Sequence, residues 1–173
     1  MWVARADAGY LFGGLTKTGV ETLKGVPMLI ESADARVRRR LLPETFDGAE
    51  EEAQWRRHAV PELERLFLSR AQLVRRDLAG LRQLKDVDVW VLLIPDSHVN
   101  AWTSSLNAAR LALYELAELT PELMDREGLD KAAPKQREAL LRIHMLAEIQ
   151  CVLLGDVDVD EEGEWSPDDF VLD

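Results

Sequence analysis

Of 173 residues only one is cysteine, three are histidine and two are tyrosine. A single thiol, Cys151, excludes an internal disulfide framework and a four-cysteine zinc site. No apolar run approaches the roughly 18–20 residues that a membrane-spanning helix needs. The opening residues MWVARADAGY hold early charges and no apolar segment, so they do not read as a secretory signal. These absences together point to a cytosolic compartment. What is present is a soluble globular composition: 47% hydrophobic with 31% charged residues, enough to bury a real core in one domain.

Bases are outnumbered, 21 Lys+Arg against 32 Asp+Glu, for a net charge of −11. The deficit is local. Beyond Gly155 stand nine acids (Asp156, Asp158, Asp160, Glu161, Glu162, Glu164, Asp168, Asp169 and Asp173) and no base, so positions 1–154 hold 21 bases against 23 acids. The reading is one helical domain over 1–154 and a flexible acidic tail over 155–173. Dense like charge repels itself and stays solvated. Yet Trp165, Phe170, Val171 and Leu172 interrupt the acids, and apolar anchors among carboxylates suit docking to a basic-rimmed groove or folding back on the chain. A polyanion beside the domain disfavours binding to a phosphate backbone. Arg36, Arg38, Arg39 and Arg40 are the local exception.

The pattern along the chain predicts a mainly α fold, a helical bundle with a small antiparallel sheet. Trp2 to Ala6 and Tyr10 to Leu15 form a hairpin around Asp7-Ala8-Gly9. Thr16 or Thr18 caps a brief helix that Gly25 ends, and Pro27 opens another. Asp34 caps a short helix carrying the arginines as far as Leu42, and 43–48 is a connection. Helix resumes at Ala49 and divides at Val60-Pro61. The longest helix follows, its stripe of Leu63, Leu66, Phe67, Leu73, Leu78 and Leu81 running to about Leu84. Positions 87–94, rich in valine, read as a strand that joins the hairpin, with Pro95 stopping it. Asp96 is placed to cap a helix reaching about Leu119. Thr120-Pro121 opens one more turn, 125–133 reads as a loop, and the last helix runs from Pro134 to a Gly155 C-cap.

The chemistry-bearing motifs are sparse. No GxSxG elbow, phosphate-cradling glycine loop or dinucleotide fingerprint occurs. Asp96, Ser97 and His98 are consecutive, which is not how a triad converges. His144 and Glu148 share a helix face but lack a third metal ligand. Cys151 reads as a core thiol among Ile149, Val152 and Leu153. On the helix after Asp96, Trp102, Leu106, Ala109 and Leu113 share one face, and Asn107 and Arg110 another. That polar pair either ties the helix to Glu118, Glu148 or Gln150, or grips a carboxylate from a partner or small ligand. Trp55 with Arg56, Arg57 and His58 is a further cluster, which with 36–40 could build a cationic patch that meets the tail.

The run Ala101-Trp102 through Leu106-Asn107, Arg110-Leu111 and Leu113, with Arg40-Leu-Leu-Pro43 and Ile149-Gln150, resembles one bacterial family. It is the family called domain of unknown function two-thousand-seventeen, best represented in actinobacteria, and the likeness spans about Leu41 to Leu154. Met145 and Glu148 stand where the family pattern has tryptophans. The resemblance implies no activity. It implies a neighbourhood, since such genes often lie beside the adaptor that delivers substrates to the Clp protease. The expectation is therefore a non-enzymatic interaction or regulatory protein with no cofactor or metal. It would bind a protein partner, such as Clp adaptor or protease components, through Trp102, Asn107 and Arg110 or through Trp165 and Phe170. Homodimerisation is a default for spare apolar helix faces. The alternative is a small-ligand sensor or transcriptional regulator using the arginines at 36–40.

Overall fold

The computed structural model describes residues 1–84, 88–125 and 128–155. Strands β1 (Trp2–Ala6) and β2 (Gly9–Leu15) lead into helices α1 (Lys17–Ile30), α2 (Ala35–Leu41), α3 (Ala49–His58) and α4 (Val60–Leu78). Then come β3 (Arg82–Gln83), β4 (Trp90–Pro95), a 3-10 turn at Asp96–His98 and α5 (Val99–Leu116). A second 3-10 turn at Pro121–Met124, α6 (Gly128–Lys131) and α7 (Pro134–Leu154) complete the described chain. The fold is mainly α with a small antiparallel sheet. The acidic stretch from 156 onward, with Trp165 and Phe170, lies outside the described residues, as does Val87 of the expected strand.

The sheet order is β1-β2-β4-β3. Trp2 faces Gly13 and Ala6 faces Gly9 across the hairpin, while β2 pairs on its other side with β4, Tyr10 opposite Ile94 and Leu15 opposite Trp90. The register shifts between Phe12 and Leu15, where Gly14 takes a φ of 65°, a conformation that side chains with a Cβ avoid. The bulge adds one residue to β2, and so lets both Phe12 and Leu15 turn inward to 1% exposure. The two-residue β3, which the sequence did not announce, pairs Arg82 with Val91 on the far edge.

Five elements differ in their bounds from the sequence reading. First, α1 runs unbroken through Gly25 and Pro27, capped by Thr16, whose hydroxyl accepts from the Gly19 amide at 3.2 Å. Its buried positions Val20, Leu23, Val26 and Ile30 continue across both breakers. Each such burial stabilises by about 1.5–3 kcal/mol, against about 1 kcal/mol for an interior glycine and about 3 for a proline. Second, α4 stops at Leu78 rather than near Leu84, and at 19 residues it is shorter than α7 at 21. Third, Asp96 caps no helix: its carboxylate takes a bidentate pair from Arg5 at 2.6 and 2.9 Å, and α5 begins at Val99 and ends at Leu116. Fourth, the stretch read as a loop at 125–133 contains the one-turn α6. Fifth, the strand read over 87–94 begins at Trp90 and takes in Pro95, which pairs with Gly9. The division at Val60 and the Gly155 C-cap with its φ of 77° agree with the reading.

Helix α5 is the centre of the molecule. It packs against α1, α2, α4 and α7, with Trp102, Leu106, Ala109 and Ala112 at 0% exposure. Its alanines let neighbouring helices approach closely, and the sheet covers one end of the same core through Phe12, Leu92 and Ile94. Among the described residues no helix is long and apolar enough to cross a membrane.

Candidate functional site

The predicted site residue Trp102 is a core residue with one polar obligation. Its indole N–H donates to Asp77 Oδ2 at 2.8 Å. Asp77, on α4 and only 6% exposed, also lies 2.9 Å from His98 Nδ1. A carboxylate only accepts, so Nδ1 carries the hydrogen of that bond. The cluster joins α4, α5 and the 3-10 turn before α5. Its partners differ for each residue of the Asp96-Ser97-His98 run: Asp96 turns to Arg5, Ser97 is exposed and His98 turns inward to Asp77.

Arg110 and Asn107 part company. Arg110 reaches across to α7 and donates from Nη1 to Gln150 Oε1 at 2.7 Å, one of the three partners that the sequence nominated. Its Nε is buried without a partner among the described residues, as is Ser105 Oγ on the same helix. Asn107 is exposed and makes no hydrogen bond among the described residues. Arg110 is therefore a tie between α5 and α7, and it does not form a shared grip with Asn107. Cys151, expected in the core, is half-buried beside the buried Val152 and Leu153.

Three of the four arginines of α2 meet carboxylates from outside the helix. Asp34 caps the helix through the Arg36 amide at 2.8 Å and also holds the Arg36 guanidinium, which keeps the Asp34 carboxyl down at about 2. Arg36 also reaches Glu118, Arg38 pairs with Glu64, and Arg40 lies 3.6 Å from Glu115 and over the Tyr114 ring. Of the four, Arg39 alone lacks a carboxylate among the described residues. Arg56 is likewise engaged, by Glu52 at 2.6 Å. Glu52 accepts from the Thr45 and Phe46 amides as well, and these bonds, the Thr45 amide foremost, lower its pKa and pin the 43–48 connection to α3. Trp55 sits half-buried against Phe46, edge to face at 6.1 Å between centroids.

An apolar concavity that sequence reasoning missed runs between α1 and α7. One cavity of about 310 Å³ is lined by residues that include Met1, Gly19, Leu141, Arg142 and Met145. A second of about 320 Å³ continues it past Thr22 and Arg142 to Gly25, Met28 and Leu29. Gly19 is close enough to α7 that a Cβ there would lie 3.1 Å from Met145 Cε. Met28 is 69% exposed and Leu141 54%, both on this groove. Arg142 crosses it, pairing with Glu138 at 2.6 Å while its Nε is buried and unpartnered among the described residues. A sequence signal for the groove exists in Gly19, Thr22 and Gly25, small residues three apart on one face of α1. Asp77 too could have been flagged, as an acid between Val74 and Leu78 on the inward face of α4.

Among the described residues no three His, Cys, Asp or Glu side chains gather as a metal ion would need. The model of the family described as Domain of unknown function (DUF2017) matches residues 14–155, most of the chain, and the chain belongs to that family. No curated protein and no solved structure matches it.

Proposed function

We propose, with that family membership as premise, that the chain is a non-enzymatic interaction protein of the cytosol whose α1–α7 groove receives an apolar segment of a partner protein. One observation carries this reading: an open groove whose walls present Met1, Met28 and Leu141 to solvent, with Met145 half-buried between them. Methionine is flexible and polarizable, and it suits surfaces that mould to an incoming apolar helix or strand. Arg142, which lines both cavities and is partly exposed, supplies guanidinium donors for a carbonyl or carboxylate of that segment. His98, Asp77 and Cys151 do not line the groove. The regulator reading loses ground because Arg36, Arg38 and Arg40 are already engaged by carboxylates.

The partner we carry forward is the adaptor that feeds substrates to the Clp protease. The test is direct titration of that purified adaptor with the full chain, a chain ending at Gly155, and Met28→Asp and Leu141→Asp. Both substituted side chains are exposed, so the fold should tolerate the changes. Either substitution should weaken binding by about tenfold or more, as expected for a central apolar anchor. Arg39→Glu, outside the groove, should not. Unchanged affinity in both groove variants would refute the groove. Loss of binding on truncation at Gly155 would move the grip to Trp165 and Phe170. No binding by the full chain would refute this partner.

A further inference from the structure

Leu42 is buried and so is Ala71, but no residue between them is. All of α3 and the first half of α4 fall in that span. So do Phe46, Trp55, Leu63, Leu66, Phe67 and Leu68, of which Phe46, Leu66 and Leu68 are 43–47% exposed. A ten-residue helix in water is marginal on its own. Here α3 buries no residue, and it packs mainly against α4 and Phe46. On α4, Leu63, Leu66, Arg70 and Leu73 recur at three, four and three residues, the spacing of a helix-pairing seam.

The charges on this arm are sorted by end. Glu44, Asp47, Glu50 and Glu51 lead into or open α3, and none has an ion-pair partner among the described residues. Arg57 at the other end of α3 and Arg70 on α4 are likewise unpaired. Acids at a helix start and bases at its end are what the helix dipole favours. That preference does not explain a seam beside them that is nowhere fully buried and in which Leu66 is exposed. A two-fold interface, in contrast, must be complementary to its own reverse. Acid at one end and base at the other meets that condition when two copies run antiparallel.

We propose that the arm formed by α3 and the first half of α4 is the interface of a homodimer, two copies packing antiparallel about a two-fold axis. Glu50 and Glu51 of each copy face Arg57 of the other, and Leu66 lies in the apolar seam. The acidic stretch at 156–173 is a poorer occupant. It would be drawn to Arg57 and Arg70 but repelled by the four free acids at the other end of α3. This interface is separate from the α1–α7 groove and does not depend on the function proposed for it.

The test is sedimentation equilibrium of the full chain over a concentration series, with circular dichroism to confirm the fold of each variant. The full chain should sediment as a dimer of 19.6 kDa protomers. Leu66→Asp should raise the dissociation constant by tenfold or more, as should Glu50→Lys/Glu51→Lys and Arg57→Glu separately, each by placing like charges together. The decisive outcome is the mixture. Combining the Glu50→Lys/Glu51→Lys chain with the Arg57→Glu chain places opposite charges at both ends, and it should restore the dimer as a heterodimer. A monomeric full chain, a dimer indifferent to all three variants, or a mixture that stays monomeric would each overturn the proposal. So would dimerisation lost on ending the chain at Gly155, which would give the contact to the tail.

Discussion

Substituting Asp77 by alanine tests whether the buried carboxylate holds the centre of the fold. The magnitude follows from what each partner loses. Trp102 is 0% exposed, so without the carboxylate its indole N–H has no acceptor and no route to water, a cost of about 1–3 kcal/mol. His98 is 21% exposed and can rehydrate its Nδ1–H, so its share is small. Asp77→Ala should therefore destabilise by about 2–3 kcal/mol, or roughly 5–10 °C in Tm for a chain of this length. Trp102→Phe removes the orphaned donor itself. If the hydrogen bond is the origin of the loss, the double variant should be more stable than the sum of the two singles predicts, by about 1–2 kcal/mol. Urea unfolding followed by far-ultraviolet circular dichroism gives all four corners of that cycle, provided the m-value is constant. A cost below about 0.5 kcal/mol for Asp77→Ala, or strict additivity, would refute the account, since surface substitutions already reach that level.

Two further predictions concern helix ends. Glu118 follows α5 with a φ of 52°, and the Leu119 amide closes the end on the Tyr114 carbonyl at 3.0 Å. Glycine there removes a left-handed penalty of about 1 kcal/mol, so Glu118→Gly should raise stability where Glu118→Ala does not, and thermal melts distinguish the two. The second is acid sensitivity. The folded pKa of Asp34 is lowered to about 2 by the Arg36 side chain and amide, and that of Glu52 is lowered by the Thr45 amide, burial opposing. A lowered folded value means stabilisation that is complete above the ordinary carboxylate range and is lost as pH falls through the folded value. Urea midpoints should hold down to about pH 5 and fall between about pH 4 and 2. Asp34→Asn should flatten part of that decline, and an identical profile in the variant would count against the cap.

How far the fold was legible depended on whether one element could announce itself. The Asp34 cap, the division at Val60-Pro61, the hairpin and the Gly155 stop are local chemistry, and the structure has each of them. Gly25 and Pro27 misled because propensity was read where packing decides: Leu23, Val26 and Ile30 bury against the rest of the core whether or not a breaker lies between them. Two-residue β3 has no pattern to read and exists only because β4 offers it an edge. Of the candidate site residues, the sequence placed Trp102 on an apolar face and gave Arg110 three possible partners. Only the packing of α5 on α7 selects Gln150. Asp77 was passed over because an inward-facing acid looks like any other charge until the indole that meets it, 25 positions away, is in place.

The same reasoning explains two opposite misreadings of surface and core. Four arginines within Arg36–Arg40 look like a patch of concentrated positive charge. In the folded chain Asp34, Glu64, Glu115 and Glu118 arrive from α4, from the end of α5 and from the residue before α2, and most of that charge is answered. Linear density thus overstated the field. The stripe of Leu63, Leu66 and Phe67 looks like core, and here linear periodicity overstated burial, because none of the three is buried. Periodicity records only that a helix face is apolar; it does not say which molecule covers it. A charge cluster neutralised within the chain has no need of an outside partner. An apolar stripe left only half covered beside unpaired acids at one end and an unpaired base at the other does, and the self-matching order of Glu50, Glu51 and Arg57 favours a second copy as that partner.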